Sequence, residues 1–582
     1  MIRFDSRNTQ YKNPFGAVSC GTKVDYFVFC DEYAEYAKLF IYRDEEAINI
    51  INMVYDPVFK GFRASYEFAV EGLYFYSICL GGQYVTESGM SDEEKRFQQT
   101  VYIDEDVQPR GYAGGIMYQI FPDRFNIGSC GVLKTPFPDR IIHENRDDIP
   151  AYLPDETGEY RNKDYFGGNL RGIEEKIPYL KSLGVTVLYL NPIGEAHSNH
   201  RYNTADYLKV DPLLGTEDDF RSLCAACGEA GIKVILDGVY SHTGDDSIYF
   251  NRYHRYDSEG AYDNETSPYR KWYFFNEDGT YRAWWDFESL PEVNETDPSY
   301  TEFICGENGV IDHWMNLGAS GFRLDVADEL PDSFIKEIRK RIKIYGKDKL
   351  LLGEVWEDAS NKISYGERRT YLYGDELDSV MNYPFREAII DFVKNGNAAG
   401  LSETVMSVQE NYPKRVLDIL MNSLSTHDTE RIITSFIWDG EGNRDYQASF
   451  HLNEGDYMKG IEMVKLATVL QFTLPGIPCI YYGDEIGMQG CKDPFNRGFM
   501  KWDGPDENLL SFVREMAEFR KNRPVLSDGV FAPYMVSDGF VSFMRKNSED
   551  TLFVAVNRSE EEVAVSLDGE LITVKPWQFV LK

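Results

Sequence analysis

The sequence predicts an α/β protein built on a (β/α)₈ barrel, with a subdomain inserted after the third strand, a β-sandwich before the barrel and a small β-domain after it. Three observations carry this. From Ile116 onward eight short apolar runs alternate with helical segments, the pattern of a parallel sheet with helical crossovers. Polar and acidic residues gather at the C-terminal ends of those runs, where a barrel opens its site. The first 110 or so residues instead alternate with period two, the pattern of half-buried strands.

In that first stretch VDYFVFC, YAKLFIYRD, INIINMVYD, FRASYEFAV and GLYFYSICL are separated by polar or glycine turns. This spacing predicts a sandwich over residues 1–110. It holds no cluster of acids or histidines, so binding or assembly is expected of it rather than chemistry.

The barrel region, 111–523, supplies IMYQIF, VTVLYLN, IKVILDGVY, GFRLDV, KLLLGEV, DSVMNY, VLDILMNSL and IPCIYYGDE as strands. Between them IEEKIPYLKSLG, EDDFRSLCAACGEAG, DSFIKEIRKRIKIYG and MKGIEMVKLATVLQFTL read as helices. A doubly wound open sheet is the rival, but no GxGxxG follows the first strand. The stretch 241–300, rich in Tyr, Trp and Asp, is too long for a plain connection and is expected to form a lid or small subdomain. After ENLLSFVREMAEFRKNR the short runs VSFMRK, TLFVAVNR and VAVSL predict a β-domain over 524–582.

Composition narrows the function. The 582-residue chain is 43% hydrophobic and carries a formal net charge of -36. Such a surface repels nucleic acid and anionic membranes and suits a neutral ligand. The 40 Tyr and 36 Phe chiefly fill cores, and the surplus suits a site that stacks on sugar rings. The 9 Cys are scattered, and Cys224 and Cys227 lie within a helical pattern without a second CxxC, so core thiols are expected rather than zinc ligands. No signal-peptide h-region or membrane span is visible. A reducing, cytoplasmic setting is the expectation.

Three strand ends concentrate the chemistry. GFRLDVADE places Asp325 two residues after Arg323, so both point to one face. The neighbouring Arg is expected to lower the Asp325 pKa and keep it ionised, as a nucleophile requires. LLGEVWEDA places Glu354 at the end of an apolar strand, where burial is expected to raise its pKa and suit acid/base work. NSLSTHDTER places Asp428 after His427, in a loop beyond the seventh strand. His427 and His242 are candidate neutral donors. Carboxylates crowded at one opening push their pKa values apart, a condition that glycosidic cleavage uses.

Together these blocks resemble the α-amylase family, glycoside hydrolase family 13. The family's four short blocks occur in order: DGVYSH, GFRLDVADE, GEVWEDA and STHDTE. Around them stand YQIFPDRF, FGGNLRGI, NPIGEAHSNHRYNTADY and PGIPCIYYGDEIGMQG. The resemblance implies Asp325 as nucleophile, Glu354 as general acid/base and Asp428 as transition-state stabiliser, with retention at the anomeric carbon. It implies Arg323, His242 and His427 as ligands of the sugar at the cleaved bond, Tyr202 as its stacking platform and Asp237 as an organising acid.

Within the family the chain is most similar to the neopullulanase, cyclomaltodextrinase and maltogenic amylase group. An N-terminal β-domain, the segment DELDSVMNYPFREAI, the absence of Lys-His after the nucleophile block, and KDPFNRGFM with Asp493 and Arg497 carry that likeness. It implies Asp493 and Arg497 as the pair that ends the site, and Glu329 and Trp356 as contacts for the leaving-side sugars. The implied substrates are maltooligosaccharides, cyclodextrins and pullulan, with no nucleic-acid or membrane partner and a homodimer formed through the N-terminal domain. Alternatives on the same barrel are a glucan transglycosylase, an oligo-1,6-glucosidase and, last, a non-catalytic binding protein. LPEVN departs from the group's usual MPxLN, leaving the α-1,4 versus α-1,6 balance open. Asn169 and Asn203 stand where the group often has Asp. NIGSCGVLK is poor in the acids expected of the group's calcium site. No cofactor is expected to be required, and Ca²⁺ is left unassigned.

Overall fold

A computed structural model describes residues 2–31, 34–104, 109–155, 158, 160 and 162–582. Two compact units make up the chain. One comprises Met1–Gln108, Glu357–Asp378 and Val405–Leu417, and the other Pro109–Trp356, Ser379–Thr404 and Asp418–Lys582. The expected junction near residue 110 borders residues 105–108, which lie outside the described set.

The second unit holds eight parallel strands: β1 (Met117–Ile120), β2 (Val187–Leu190), β3 (Lys233–Gly238), β4 (Gly321–Leu324), β5 (Leu350–Gly353), β6 (Ser379–Val380), β7 (Met421–Ser423) and β8 (Ile477–Tyr481). Their order is β6-β5-β4-β3-β2-β1-β8-β7. A parallel bridge between Met381 and Met421 joins the two ends and closes the barrel.

Side chains at alternate positions face the interior in layers. Met117, Val187, Ile235, Leu350 and Ile477 belong to one buried apolar cluster in the lower barrel. Two residues further along several strands stand polar groups: Gln119, Tyr189, Asp237 and Arg323. Register sets their level, since Asp237 on β3 lies opposite Arg323 on β4. Gly321 starts β4 at φ +153°, and a Cβ there would stand 2.1 Å from the Leu350 carbonyl oxygen. No other residue fits at that point.

Two elements differ from the expectation. VLDILMNSL is not one strand. Pro413 starts a helical turn, with Val416 N–H donating to the Pro413 carbonyl at 2.9 Å, and the strand is confined to Met421–Ser423. Proline lacks an N–H and has φ pre-set for a first helical turn. IEEKIPYLKSLG likewise splits at Lys176 into Leu170–Glu175 and Ile177–Ser182, with Pro178 in the first turn of the second helix.

The 241–300 insertion has neither long strands nor an α-helix before Pro298. Isolated bridges, His242 with Glu292 and Tyr273 with Val293 among them, hold it to the barrel end. Its core is aromatic: Phe250 packs on Tyr273 and Tyr281, with ring centroids 4.8 and 4.7 Å away. The chain's last strands, Val530–Ser537, Phe540–Lys546, Thr551–Asn557 and Gln578–Leu581, form an antiparallel sheet, and Val563–Leu567 pairs with Glu570–Val574.

The first unit contains two antiparallel-rich sheets around Val24, Tyr26, Val28, Leu39, Ile41, Tyr76, Ile78 and Phe97. Two segments from within the barrel sequence belong to it. The Ala359 N–H donates to the Tyr412 hydroxyl, and Gln98 Nε2 to Ser360 Oγ, at 2.7 and 2.8 Å.

Candidate active site

Arg323 is the hub. Its side chain is fully buried, because β4 points it into the barrel interior. Nη1 donates to Asp237 Oδ1 at 2.6 Å and to Asp325 Oδ1 at 2.8 Å. Nη2 stands 2.8 Å from Glu354 Oε2, an ion-pair contact. Glu354 Oε2 also accepts from the Val326 N–H at 2.8 Å. One planar cation therefore holds three carboxylates from β3, β4 and β5 in a small space. A guanidinium is suited to this because it stays charged and spreads its donors in a fixed fork.

The far side of Asp237 is held by tyrosines. Tyr189 and Tyr202 hydroxyls both donate to Asp237 Oδ2, at 2.7 and 2.8 Å. Asn191 Nδ2 donates to the Tyr202 hydroxyl at 2.9 Å. His427 completes the set. Gln119 Nε2 lies 3.1 Å from His427 Nδ1, and His427 Nε2 lies 2.5 Å from the Tyr202 hydroxyl and 3.1 Å from Asp428 Oδ2. Burial and the cations Arg497 and Arg323 hold the His427 pKa well below its ordinary value, so the ring is neutral. An amide N–H pointing at Nδ1 leaves the ring proton on Nε2, where it serves Tyr202 and Asp428. The Tyr202 and His427 rings lie parallel, 5.3 Å apart.

His242 is the second neutral imidazole. Burial pushes its pKa down to about 4. Nδ1 lies 3.0 Å from Ser241 Oγ, while Nε2 is buried without a hydrogen-bond partner in the protein. An unsatisfied buried nitrogen at a strand end suits a ligand hydroxyl.

Asp428 faces the opening, with 31% of its side chain exposed. Arg497 reaches it with Nη2 at 3.5 Å, pairs with Asp493 through Nη1 at 2.9 Å, and donates from Nε to the His427 carbonyl at 2.9 Å. Asp493, Arg497 and Asp428 thus form one edge of the mouth.

Aromatic residues contact His242 and Glu329. Trp284 lies 5.4 Å from the His242 ring and 5.7 Å from Trp285. Trp285 is 71% exposed with φ 49°, an uncommon backbone for a bulky residue. Its Nε1 donates to Glu329 Oε1 at 2.8 Å. Trp356 stacks on Tyr383 with centroids 4.0 Å apart.

All twelve residues singled out in the sequence lie in the second unit, and contacts join most of them. Asp237, Arg323, Asp325, Glu354, Tyr202, His427, Asp428, Arg497 and Asp493 form one continuous network. His242 and Glu329 join through the Trp284–Trp285 pair. Trp356 stands on Tyr383. Sequence reasoning passed over Gln119, Tyr189, Asn191, Trp285 and Tyr383. The signal for the first three was present: each is a polar side chain in, or two positions along, an otherwise buried apolar strand.

One electrostatic expectation is corrected. Arg323 does pull the Asp325 pKa down, but burial and the nearby Glu354, Asp237 and Asp428 carboxylates outweigh it and push Asp325 up. One guanidinium does not neutralise four converging acids. Asp428 is likewise pushed up, to about 7, by desolvation and Glu354. A carboxylate held above its unfolded pKa costs stability once pH passes from the unfolded to the folded value. Asp428→Asn is therefore expected to raise Tm by about 1–3 °C at pH 8 and by a clearly smaller amount at pH 5, where only part of the cost has accumulated. Scanning calorimetry at both pH values checks this, and an equal loss at both would contradict it.

The turn where the resemblance places calcium is occupied by internal hydrogen bonds. Asn169 Oδ1 accepts from the Gly172 and Gly128 N–H groups, and Asn126 Nδ2 donates to the Gly172 carbonyl. Among the described residues no group of three or more His, Cys, Asp or Glu side chains is arranged to hold a metal ion. The residues at that turn do not fit a calcium ion, which prefers several oxygen ligands including carboxylates.

A closed parallel barrel with carboxylates at the C-terminal ends of β4 and β5 carries its site where barrel enzymes carry theirs. The chain belongs to the α-amylase family: residues 119–523 match its catalytic domain. It is 34% identical to the amylopullulanase of Thermoanaerobacterium thermosulfurigenes over 97% of this chain and 34% of that one. It spans between a third and a half of the length of three such amylopullulanases. Neopullulanase 2 of Thermoactinomyces vulgaris is 31% identical over 90% of this chain and 84% of its own. Among solved structures, the type III pullulan hydrolase from Thermococcus kodakarensis superposes with a TM-score of 0.71 at 26% identity, covering 100% of both chains.

Proposed function

We propose that the protein is a retaining α-glucan hydrolase. It cleaves α-1,4-glucosidic bonds in maltooligosaccharides and cyclodextrins and takes pullulan, with its α-1,6 bonds, as a further substrate. The observation that carries this is the single guanidinium of Arg323, which holds Asp325 on one terminal nitrogen and Glu354 on the other. Such closeness favours the short carboxyl separation of retaining enzymes, about 5–5.5 Å, over the wider one that leaves room for water. Relatives named neopullulanase, cyclomaltodextrinase and maltogenic α-amylase support the substrate class.

In this reading Asp325 attacks the anomeric carbon while Glu354 gives its proton to the departing glycosidic oxygen. The C–O bond breaks and a glycosyl ester forms on Asp325. Glu354, now a carboxylate, takes a proton from water, the hydroxide adds to the anomeric carbon, and Asp325 is released. Asp428 faces the positive charge of the oxocarbenium-like state. Neutral His242 and His427 bind ring hydroxyls, Tyr202 stacks beneath the ring, and Asp237 holds Arg323 and Tyr202 in place. Asp493 and Arg497 close one end. Trp356, with Trp285 held by Glu329, receives the leaving-side sugars. No cofactor enters these steps.

A product profile tests the reading. Purified protein is incubated with maltoheptaose, β-cyclodextrin, pullulan and soluble starch, and products are separated over time. Rapid loss of cyclodextrin and short chains, with starch nearly untouched, is expected. Rapid attack on starch, or cleavage of α-1,6 bonds only, would move the protein to another branch of the family. Longer oligosaccharides in place of hydrolysis products would favour a transglycosylase.

The first unit supports a homodimer. Ile50 and Val54 are 56% and 72% exposed on strands of the two different sheets, and Val58 and Phe59 are 79% and 58% exposed in the turn after the second strand; exposed apolar side chains of this kind mark interfaces. Sedimentation is expected to give a species of twice 67.0 kDa, lost in Val58→Asp/Phe59→Asp. A 67 kDa species alone would remove the dimer. The nine scattered cysteines suit a cytoplasmic location. No helix among the described residues is long and apolar enough to cross a membrane.

A further inference from the structure

Gln119 and Asn191 have no role in the chemistry above, yet they link two groups that do. A run of hydrogen bonds passes from Asp237 through Tyr202, Asn191 and Gln119 to His427. Gln119 lies on β1, Asn191 directly follows β2, and His427 follows β7. Gln119, Asn191 and His427 are all buried, so neighbouring protein groups rather than bulk solvent set the direction of each bond.

Each proton in the run has one place to go. Arg323 Nη1 donates to Asp237 Oδ1, and a carboxylate has no proton to return. The Tyr202 hydroxyl therefore gives its only proton to Asp237 Oδ2, 2.8 Å away. That leaves lone pairs on the Tyr202 oxygen, and Asn191 turns Nδ2 toward them at 2.9 Å. Asn191 Oδ1 then faces Gln119, which answers with Nε2 at 3.0 Å. The second N–H of the same amide points to His427 Nδ1, 3.1 Å away. Nδ1 is thereby an acceptor, and the ring proton sits on Nε2.

The opposite arrangement sets acceptor against acceptor at two points. With the proton on Nδ1, Tyr202 would donate to His427 Nε2 at 2.5 Å. Its oxygen would then stand 2.8 Å from Asp237 Oδ2 with no proton between them. A bare Nε2 would also face Asp428 Oδ2 at 3.1 Å. Gln119 bears a cost for its orientation, because its Oε1 is buried with no hydrogen-bond partner in the protein. Turning the amide over would set that oxygen against Asn191 Oδ1, so the orphan oxygen follows from the direction of the run. A buried acceptor left in this state asks for a reason beyond packing.

We propose that Gln119 and Asn191 are positioning residues that transmit the orientation fixed by Arg323 and Asp237 to His427, so that its Nε2–H is presented to a hydroxyl of the sugar at the cleaved bond. Both act through His427. The identity of that hydroxyl rests on the glucan reading above, whereas the tautomer rests on hydrogen-bond direction alone. Full-length protein carrying ¹³C,¹⁵N-labelled histidine is measured by solid-state NMR near pH 7. The His427 signals are those lost in His427→Gln, and the ring nitrogen bonded to Cδ2 is Nε2. The parent is expected to carry the His427 proton on Nε2. Gln119→Met keeps the side chain's length and removes the amide. It is expected to populate the Nδ1–H form and to lower kcat on maltoheptaose by about 10- to 100-fold, with KM changed less. Deleting a transition-state donor outright costs more, about 10²–10³-fold. Asn191→Leu, one step further from the ring, is the independent second variant and should move the proton the same way. A proton on Nδ1 in the parent, or Nε2–H unchanged in both variants, overturns the proposal. A fall in kcat with the tautomer unchanged also overturns it, since the two residues would then support structure only. A parent with the expected tautomer and no activity on any α-glucan overturns the glucan reading instead, a result distinct from a displaced proton.

Discussion

Asp325→Asn is expected to lower kcat on maltoheptaose by about 10⁴-fold or more while substrate still binds. An amide of the same shape keeps an oxygen for Arg323 Nη1, now 2.8 Å from the carboxylate, but it does not form the glycosyl ester. The fold should not suffer. Burial and three neighbouring acids disfavour a charge on Asp325, so the neutral variant is expected to melt at the same temperature as the parent or higher. That separates lost chemistry from lost structure. Steady-state rates, Kd by calorimetry and a melting curve on one preparation check all three. A wild-type rate in this variant would sink the nucleophile assignment. Trapping the ester with a slow fluorosugar and mapping it to Asp325 would support it directly.

Glu354→Gln is expected to lower kcat on maltoheptaose by about 10²–10⁴-fold. The loss should be far smaller on α-maltosyl fluoride, because fluoride departs without a proton. Gln keeps an oxygen for the Val326 N–H, the contact that positions the side chain, and loses only the transferable proton and the charge facing Arg323. The ratio of the two effects is the diagnostic. Equal losses on both substrates would show that Glu354 supports the site's structure rather than donating a proton.

Much of this site was legible because a strand alternates with period two. Once GFRLDV and KLLLGEV are read as buried strands, Arg323 and Asp325 share a face and Glu354 stands at a strand end, with no further knowledge of the fold. The same rule would have found Gln119 in IMYQIF and Tyr189 with Asn191 in VTVLYLN, each polar in an apolar context. Those residues escaped notice because one polar residue in a strand is common, and its meaning depends on what lies across the barrel. The direction of the Asp325 pKa was misread for a related reason. Sequence proximity reveals the one Arg two positions away but not the carboxylates that converge from β3, β5 and the loop after β7.

Local patterning alone therefore determined that this chain builds a parallel barrel between two β-rich regions, and which side chains its strands offer to the open end. Period-two alternation and apolar runs are properties of neighbouring residues, and the acidic composition already disfavoured nucleic acid and anionic membranes. Only the tertiary structure decided the rest. The β3–β4 register sets Asp237 level with Arg323. The bridge from Met381 to Met421 closes the barrel. The irregular path of the insertion turns Trp285 onto Glu329, and Glu357–Asp378 joins the first unit rather than the barrel. Each is a contact between residues far apart in the chain, fixed by closure, register and backbone angles that no short stretch of sequence encodes.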